Sequence, residues 1–158
     1  EGGEDVKFIA RRLIISAAED IGLANPNALM LANETFSAVE RVGWPESRII
    51  LSQCAIYLAT SPKSNSAYTA IGKAQKLVQQ TGNLEVPDHL KNASSALAKD
   101  LGHGKGYLYP HDHPGGFVSQ EYLPKEIQGS VMWSPASNAK EQQISAQQKA
   151  MWKDKYGG

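Results

Sequence analysis

A single cysteine in 158 residues, Cys54, excludes an internal disulfide and fits a reducing compartment. It lies in the apolar run IILSQCAIYLA, where a buried thiol is the expectation. No run approaches the ~20 apolar residues that span a bilayer, and no signal-peptide pattern opens the chain. Net charge is lacking as well. Sixteen Lys and Arg balance sixteen Asp and Glu, so bulk charge argues neither for nor against nucleic acid. Residues 1–60 hold five basic against eight acidic side chains, and residues 61–110 hold six against three. That bias is well short of a polybasic patch. Strand-period alternation never lasts more than a few residues. The expectation is an all-α, cytoplasmic chain without a membrane span. Its opening, EGGEDVKF, has no initiator methionine and suits a piece of a longer protein.

What is present is mostly punctuated helix. The 41% hydrophobic content is enough for one core. The first helix is predicted over about 5–21, with Phe8, Ile9, Leu13, Ile15 and Ala17 on its apolar face and Gly22 as its stop. The second, over 26–42, takes Asn25 as N-cap and Pro26 as its first residue. The third, over 45–60, starts at Pro45 with Glu46 in its first turn; it is apolar on most sides, which predicts a central position. The fourth covers 66–81, with Ala67, Ile71, Ala74 and Val78 on one face. Short connections favour antiparallel neighbours. Val86-Pro87 disfavours helix at Val86, and Asp88 to Asn92 fits one turn. Ser94 or Ser95 caps a fifth helix over 94–101, stopped by Gly102. The predicted helical domain is 1–135, closing with an irregular wrap over 102–135. Residues 136–158 form a polar helical tail whose large apolar marks are Ile144, Met151 and Trp152; such a tail needs a surface to lie on.

The wrap holds the segment GHGKGYLYPHDHPGGFVSQEYLP, Gly102 to Pro124. Irregular stretches beyond about 12–15 residues usually have a job. His111-Asp112-His113 invites a metal, with His103 and His89 as further ligands, but the cysteine-rich spacing of structural zinc sites is missing. Hydrogen bonding that fixes a proline-glycine turn is the plainer role. Gly102-His103-Gly104-Lys105-Gly106 has the look of a phosphate loop, yet it lacks the GxxxxGK[ST] spacing and follows a helix. Ser137-x-x-Lys140 has no companion motif for nucleophilic chemistry. No catalytic, cofactor or metal residue is assigned. Tyr107, Tyr109, Phe117 and Tyr122, interleaved with Lys105, suit stacking on single-stranded bases or stapling the wrap to the helices; stapling is favoured. Arg11, Arg12, Lys63, Lys73, Lys76 and Lys105 are the candidate nucleic-acid contacts. Each is otherwise a solvated face.

Four segments carry a resemblance: GEDVKFIARRLIISAAEDIGLANPNAL, AIYLATSPKSNSAYTAIGKA, VPDHLKNA and LGHGKGYLYPHDHPGGFVSQEYLP. Over about residues 2–135 the chain resembles the C-terminal region of the replication-associated recombination protein A (RarA/MgsA) family of AAA+ ATPases, related to the Werner-helicase-interacting protein. The resemblance implies an all-helical domain like the collar of clamp-loader subunits, and a homotetramer. It also implies a parent ATPase that uses ATP and magnesium, is stimulated by DNA ends or single-strand junctions, and has single-stranded or forked DNA ends as its nucleic-acid partner. A single-strand-binding protein is the implied partner, and the nucleoid the implied place. Walker and arginine-finger motifs belong to a preceding region, so no catalytic residue carries over. On this reading Phe8, Ile9 and Leu13, with the four wrap aromatics, build the core or the subunit contacts. A stand-alone nucleic-acid-binding module and a metal-dependent enzyme at His111 and His113 are the competing readings.

Overall fold

The computed structural model describes residues 2–156, and all regular structure among them is helical. The helices are α1 (Val6–Ser16), α2 (Asn27–Val42), α3 (Ser47–Thr60), α4 (Ser66–Thr81), α5 (Ala96–Asp100) and α6 (Ala139–Trp152). Two compact units divide the chain: residues 1–73 with 133–145, and residues 74–132 with 146–158. Helices α4 and α6 each contribute residues to both units.

The first unit is built on α1, α2 and α3, which pack against one another in all three pairings. Asp5 starts α1 by accepting the Phe8 N–H at 2.8 Å, satisfying one of the free donors of the first turn. The helix widens into a π-helical turn over Ala17–Ile21 before Gly22, whose φ is +47°. There the Ser16 hydroxyl donates to Asp20 Oδ2 at 2.7 Å. In α2 the buried side chains are Ala28, Ala32, Thr35 and Val39. In α3 they are Ser47, Leu51, Cys54 and Leu58. Both sets follow the i, i+4, i+7, i+11 spacing of a helical stripe. Ala17, Ile21, Ala28, Ala32, Cys54 and Leu58 form one core cluster. Ala10, Val39 and Leu51 form a second. The alanines let the helix axes come close, and each fully buried Ile, Val or Leu contributes about 1.5–3 kcal/mol. Cys54 is a free, buried thiol.

Three local expectations are corrected. Phe8 and Ile15 point outward, while Ala10, Ala17 and Ile21 face the core. Phe8 lies two residues before Ala10, on the far side of a 3.6-residue turn. Asn25 does not cap α2 with its side chain; its amide instead donates to Tyr57 Oη at 3.0 Å and Ser61 Oγ at 3.1 Å. Pro45 does not open α3 either. It sits in the turn between the helices, after a cis peptide bond from Trp44, and the helix begins at Ser47, whose N–H reaches Gly43 O at 2.9 Å.

The segment Ser64–Ser66 and the residues around Glu141 lock together in the same unit. Ser64 N–H donates to Asp20 O at 2.7 Å, and a Cβ on Gly22 would stand 2.9 Å from Ser64 O. Trp133 Nε1–H donates to Ser66 Oγ at 3.1 Å. Glu141, with 0% exposure, accepts from Ala136 N–H at 2.8 Å and Asn138 Nδ2 at 3.0 Å. Asn138 in turn accepts the Glu141 N–H at 3.0 Å, so the pair forms a reciprocal cap at the start of α6.

In the second unit polar groups of the wrap and of the segment before it fix the irregular chain. Gln120 accepts from Leu108 N–H at 3.2 Å and donates to Leu108 O at 2.8 Å. His89 Nε2 lies 2.7 Å from Glu121 O, and Ser95 caps α5 by accepting the Ala98 N–H at 3.1 Å. No described helix is long and apolar enough to cross a membrane.

Candidate assembly surface

Helix α1 and helix α3 leave a groove of about 400 Å³ between them on the first unit, lined chiefly by Val6, Ile9, Leu13, Trp44, Leu51 and Ala55. Glu4 and Arg48 bring one charge of each sign to the same lining. Ile9 and Leu13 therefore serve twice: one side packs on the core clusters and the other lines the groove. Phe8 does not line it; its ring lies 5.7 Å under the Arg11 guanidinium, an exposed cation–π contact worth about 0.5–1 kcal/mol. Trp44 in the groove is 55% exposed, and beside the groove rise Ile49 and Ile56, 60% and 61% exposed. Helix α3 is thus apolar on two opposite faces. The sequence reading of a centrally buried α3 is corrected on this point, because among the described residues only one of those faces is buried.

The wrap forms a strap whose aromatics divide into two pairs. Phe117 and Tyr122 meet Trp152 of α6 edge to face, with ring centroids 4.9 and 6.1 Å away. Lys155 Nζ lies 4.9 Å from the Trp152 ring centroid, donates to Gln120 O and approaches Glu121 Oε2 at 3.6 Å. Backbone N–H donation from Leu123, opposed by burial and aided by the Tyr122 N–H and Lys155, holds the Glu121 carboxyl below its ordinary value. Tyr107 and Tyr109 remain exposed, Tyr109 with its ring 5.2 Å from that of His111.

The candidate nucleic-acid contacts lie on several elements of the two units. Arg11 and Arg12 lie exposed on α1. Lys63 donates to Leu58 O, and Lys73 to Ser134 Oγ at 3.1 Å. Lys76 is exposed on α4, and Lys105 is exposed in the strap of the second unit. Among the described residues no three of His, Cys, Asp and Glu gather as they would around a metal ion. The glycine segment does not offer a phosphate cradle. The N–H groups of Gly102, His103, Gly104, Lys105 and Tyr107 already donate to the carbonyls of Lys99, Ala98, Asp88, Gly102 and Gly104. An anion site of this kind needs those donors free.

Sequence reasoning did not single out Trp44, Arg48, Gln120 or Glu141. Glu141 had a readable signal, since Asn138-Ala-Lys-Glu141 is a capping-box pattern. Its burial was not readable. Removal from water raises the carboxyl, but hydrogen bonds from the Ser64 hydroxyl, the Ala136 N–H, Asn138 and the Ser66 hydroxyl outweigh that and leave it below its ordinary value.

The family described as "MgsA AAA+ ATPase C terminal" matches residues 1–152. A Thermotoga maritima protein described as "Uncharacterized protein" is 47% identical over 158 residues, covering all of this chain and 26% of its own length. Replication-associated recombination protein A of Coxiella burnetii is 41% identical over 145 residues, covering 91% of this chain and 33% of its own length. ATPase WRNIP1 of Dictyostelium discoideum is 40% identical over 128 residues, covering 80% of this chain and 15% of its own length. The chain thus spans a third or less of each of these relatives.

Proposed function

The chain belongs to the MgsA AAA+ ATPase C-terminal family, and from that membership we propose that it is the assembly domain of an ATPase acting in replication-associated recombination. The reading places ATP and magnesium in the ATPase part of the parent protein and gives this chain no catalytic residue. Its task is to hold copies of the parent together, so that ATP turnover in one subunit is coupled to its neighbours and to single-stranded or forked DNA. A homotetramer with a clamp-loader-like collar, and a single-strand-binding protein as partner, complete the proposal. So does a place in the cytoplasm at the nucleoid.

One observation carries the assembly role. Trp44, Ile49 and Ile56 are largely exposed in and beside an apolar groove, on a unit that already has its own core. Contiguous exposed apolar surface of this kind marks a contact with another macromolecule. Light scattering of the chain at high concentration tests the proposal: a mass above the monomer supports it, and a clean monomer overturns it.

A further inference from the structure

We propose that the outer face of α3 and the neighbouring α1–α3 groove form a two-fold contact with a second copy of this chain, the Ile49–Ile56 ridge of each copy seated in the groove of the other. This rests on the assembly reading and names its surface. Ile49 and Ile56 are seven residues apart and so share one side of the helix, opposite the buried Ser47, Leu51, Cys54 and Leu58. One exposed isoleucine requires no explanation. Two in register do, when they stand beside a groove lined by Val6, Ile9, Leu13 and Trp44.

A second depression, about 590 Å³, runs along the ridge and is lined by Arg48, Ile49, Ser52, Gln53 and Ile56. Arg48 and Ser52 line both depressions, so ridge and groove adjoin on one continuous surface. Both are fixed on the same helix, and neither fills the other within one chain. A copy related by a two-fold axis near Ser52 presents each ridge to the opposite groove. That is the self-complementarity an isologous interface requires. Ser52 is small enough to let two α3 helices cross closely.

Charge points to the same occupant. No described carboxylate lies within ion-pair reach of Arg48, and Glu4 is the carboxylate in the groove lining. A two-fold mate supplies its Glu4 to this Arg48 and the reverse. The chain's balance of sixteen basic and sixteen acidic residues leaves no bulk repulsion between copies.

The test is sedimentation or light scattering of the chain across a concentration series, with far-UV circular dichroism to confirm folding. Ile56→Glu, with Ile49→Glu as a second variant, enters the interface twice and raises the self-dissociation constant about 100-fold or more. Met30→Glu, at a 67% exposed position on α2, leaves it unchanged. Glu4→Arg and Arg48→Glu each weaken association, and the double exchange restores it. Ser52→Cys forms an inter-chain disulfide under mild oxidation, against a wild-type baseline in which buried Cys54 forms none. If the chain associates but Ile56→Glu does not weaken it and Ser52→Cys does not cross-link, this surface is wrong and the assembly reading stands. If the wild-type chain is a monomer throughout, both are overturned.

Discussion

Replacing Glu141 removes the one buried carboxylate that ties the start of α6 to the Ser64–Ser66 segment. The side chain has 0% exposure and accepts from Ala136 N–H and Asn138 Nδ2 at 2.8 and 3.0 Å. The nearby Ser64 and Ser66 hydroxyls further favour its charged form. Each hydrogen bond to a charged group contributes about 1.5–3 kcal/mol net, and a stranded buried donor costs about 1–3 kcal/mol. These contributions share partners and do not add fully. Glu141→Ala is therefore expected to cost about 2–4 kcal/mol, two hydrogen bonds to a charged group discounted for their shared partners. Domains of ordinary stability hold only about 5–15 kcal/mol, so the loss is large. Glu141→Gln keeps the volume and one acceptor, and is expected to cost less than half as much.

The acid limb gives an independent reading of the same interaction. The carboxyl is held below its ordinary value in the folded chain, so the unfolded state takes up a proton at higher pH than the folded state does. The stabilisation is complete above the unfolded value and is lost as pH falls toward the folded one. Urea unfolding followed by circular dichroism, at neutral pH and in steps through the acid range, measures both effects. Glu141→Gln should flatten the acid dependence relative to wild type. The reasoning fails if Glu141→Ala unfolds within about 0.5 kcal/mol of wild type, a shift typical of unremarkable surface changes. It fails equally if Glu141→Gln keeps the wild-type acid slope.

Two further outcomes follow from the geometry. Phe117→Ala strips the ring that meets Trp152 at 4.9 Å and should lower hydrogen-exchange protection around Gln120, whereas Tyr109→Ala, at an exposed ring, should leave it near wild type. Gly22→Ala forces a side chain onto a φ of +47° with its Cβ 2.9 Å from Ser64 O; a loss of at least about 1 kcal/mol in urea unfolding is expected, and unchanged stability would refute the close approach.

The sequence showed where helices stop better than which sides they bury. Gly22, Gly43, Gly82 and Gly102 all adopt positive φ, which favours glycine, although Gly22 and Gly43, with ψ of −128° and −167°, lie outside the left-handed helical region of the usual stop. Ser95 caps α5 as one of the two serines considered. Faces were harder. On α4 the stripe Ala67, Ile71, Ala74 and Val78 looked like a core face, yet Ala67, Ile71 and Val78 are exposed, Ala74 is half-buried and Ser66 is the buried residue. Periodicity states that a stripe exists, not that something covers it. In the strap, all four aromatics had equal standing in the sequence. Only Phe117 and Tyr122 are paired with Trp152, because that partner arrives from α6, 30 residues or more along the chain.

By itself, then, the sequence determined the all-helical class, the glycine stops and the family, because each is written in short segments of local pattern. Tertiary structure alone decided that Asn25 reaches Tyr57 and Ser61, that Glu141 is enclosed by Ser64 and Ser66, and that α3 keeps a second apolar face bare. Those outcomes depend on which distant elements meet. Burial is a property of the packed neighbours, and no single helix carries it in its own spacing.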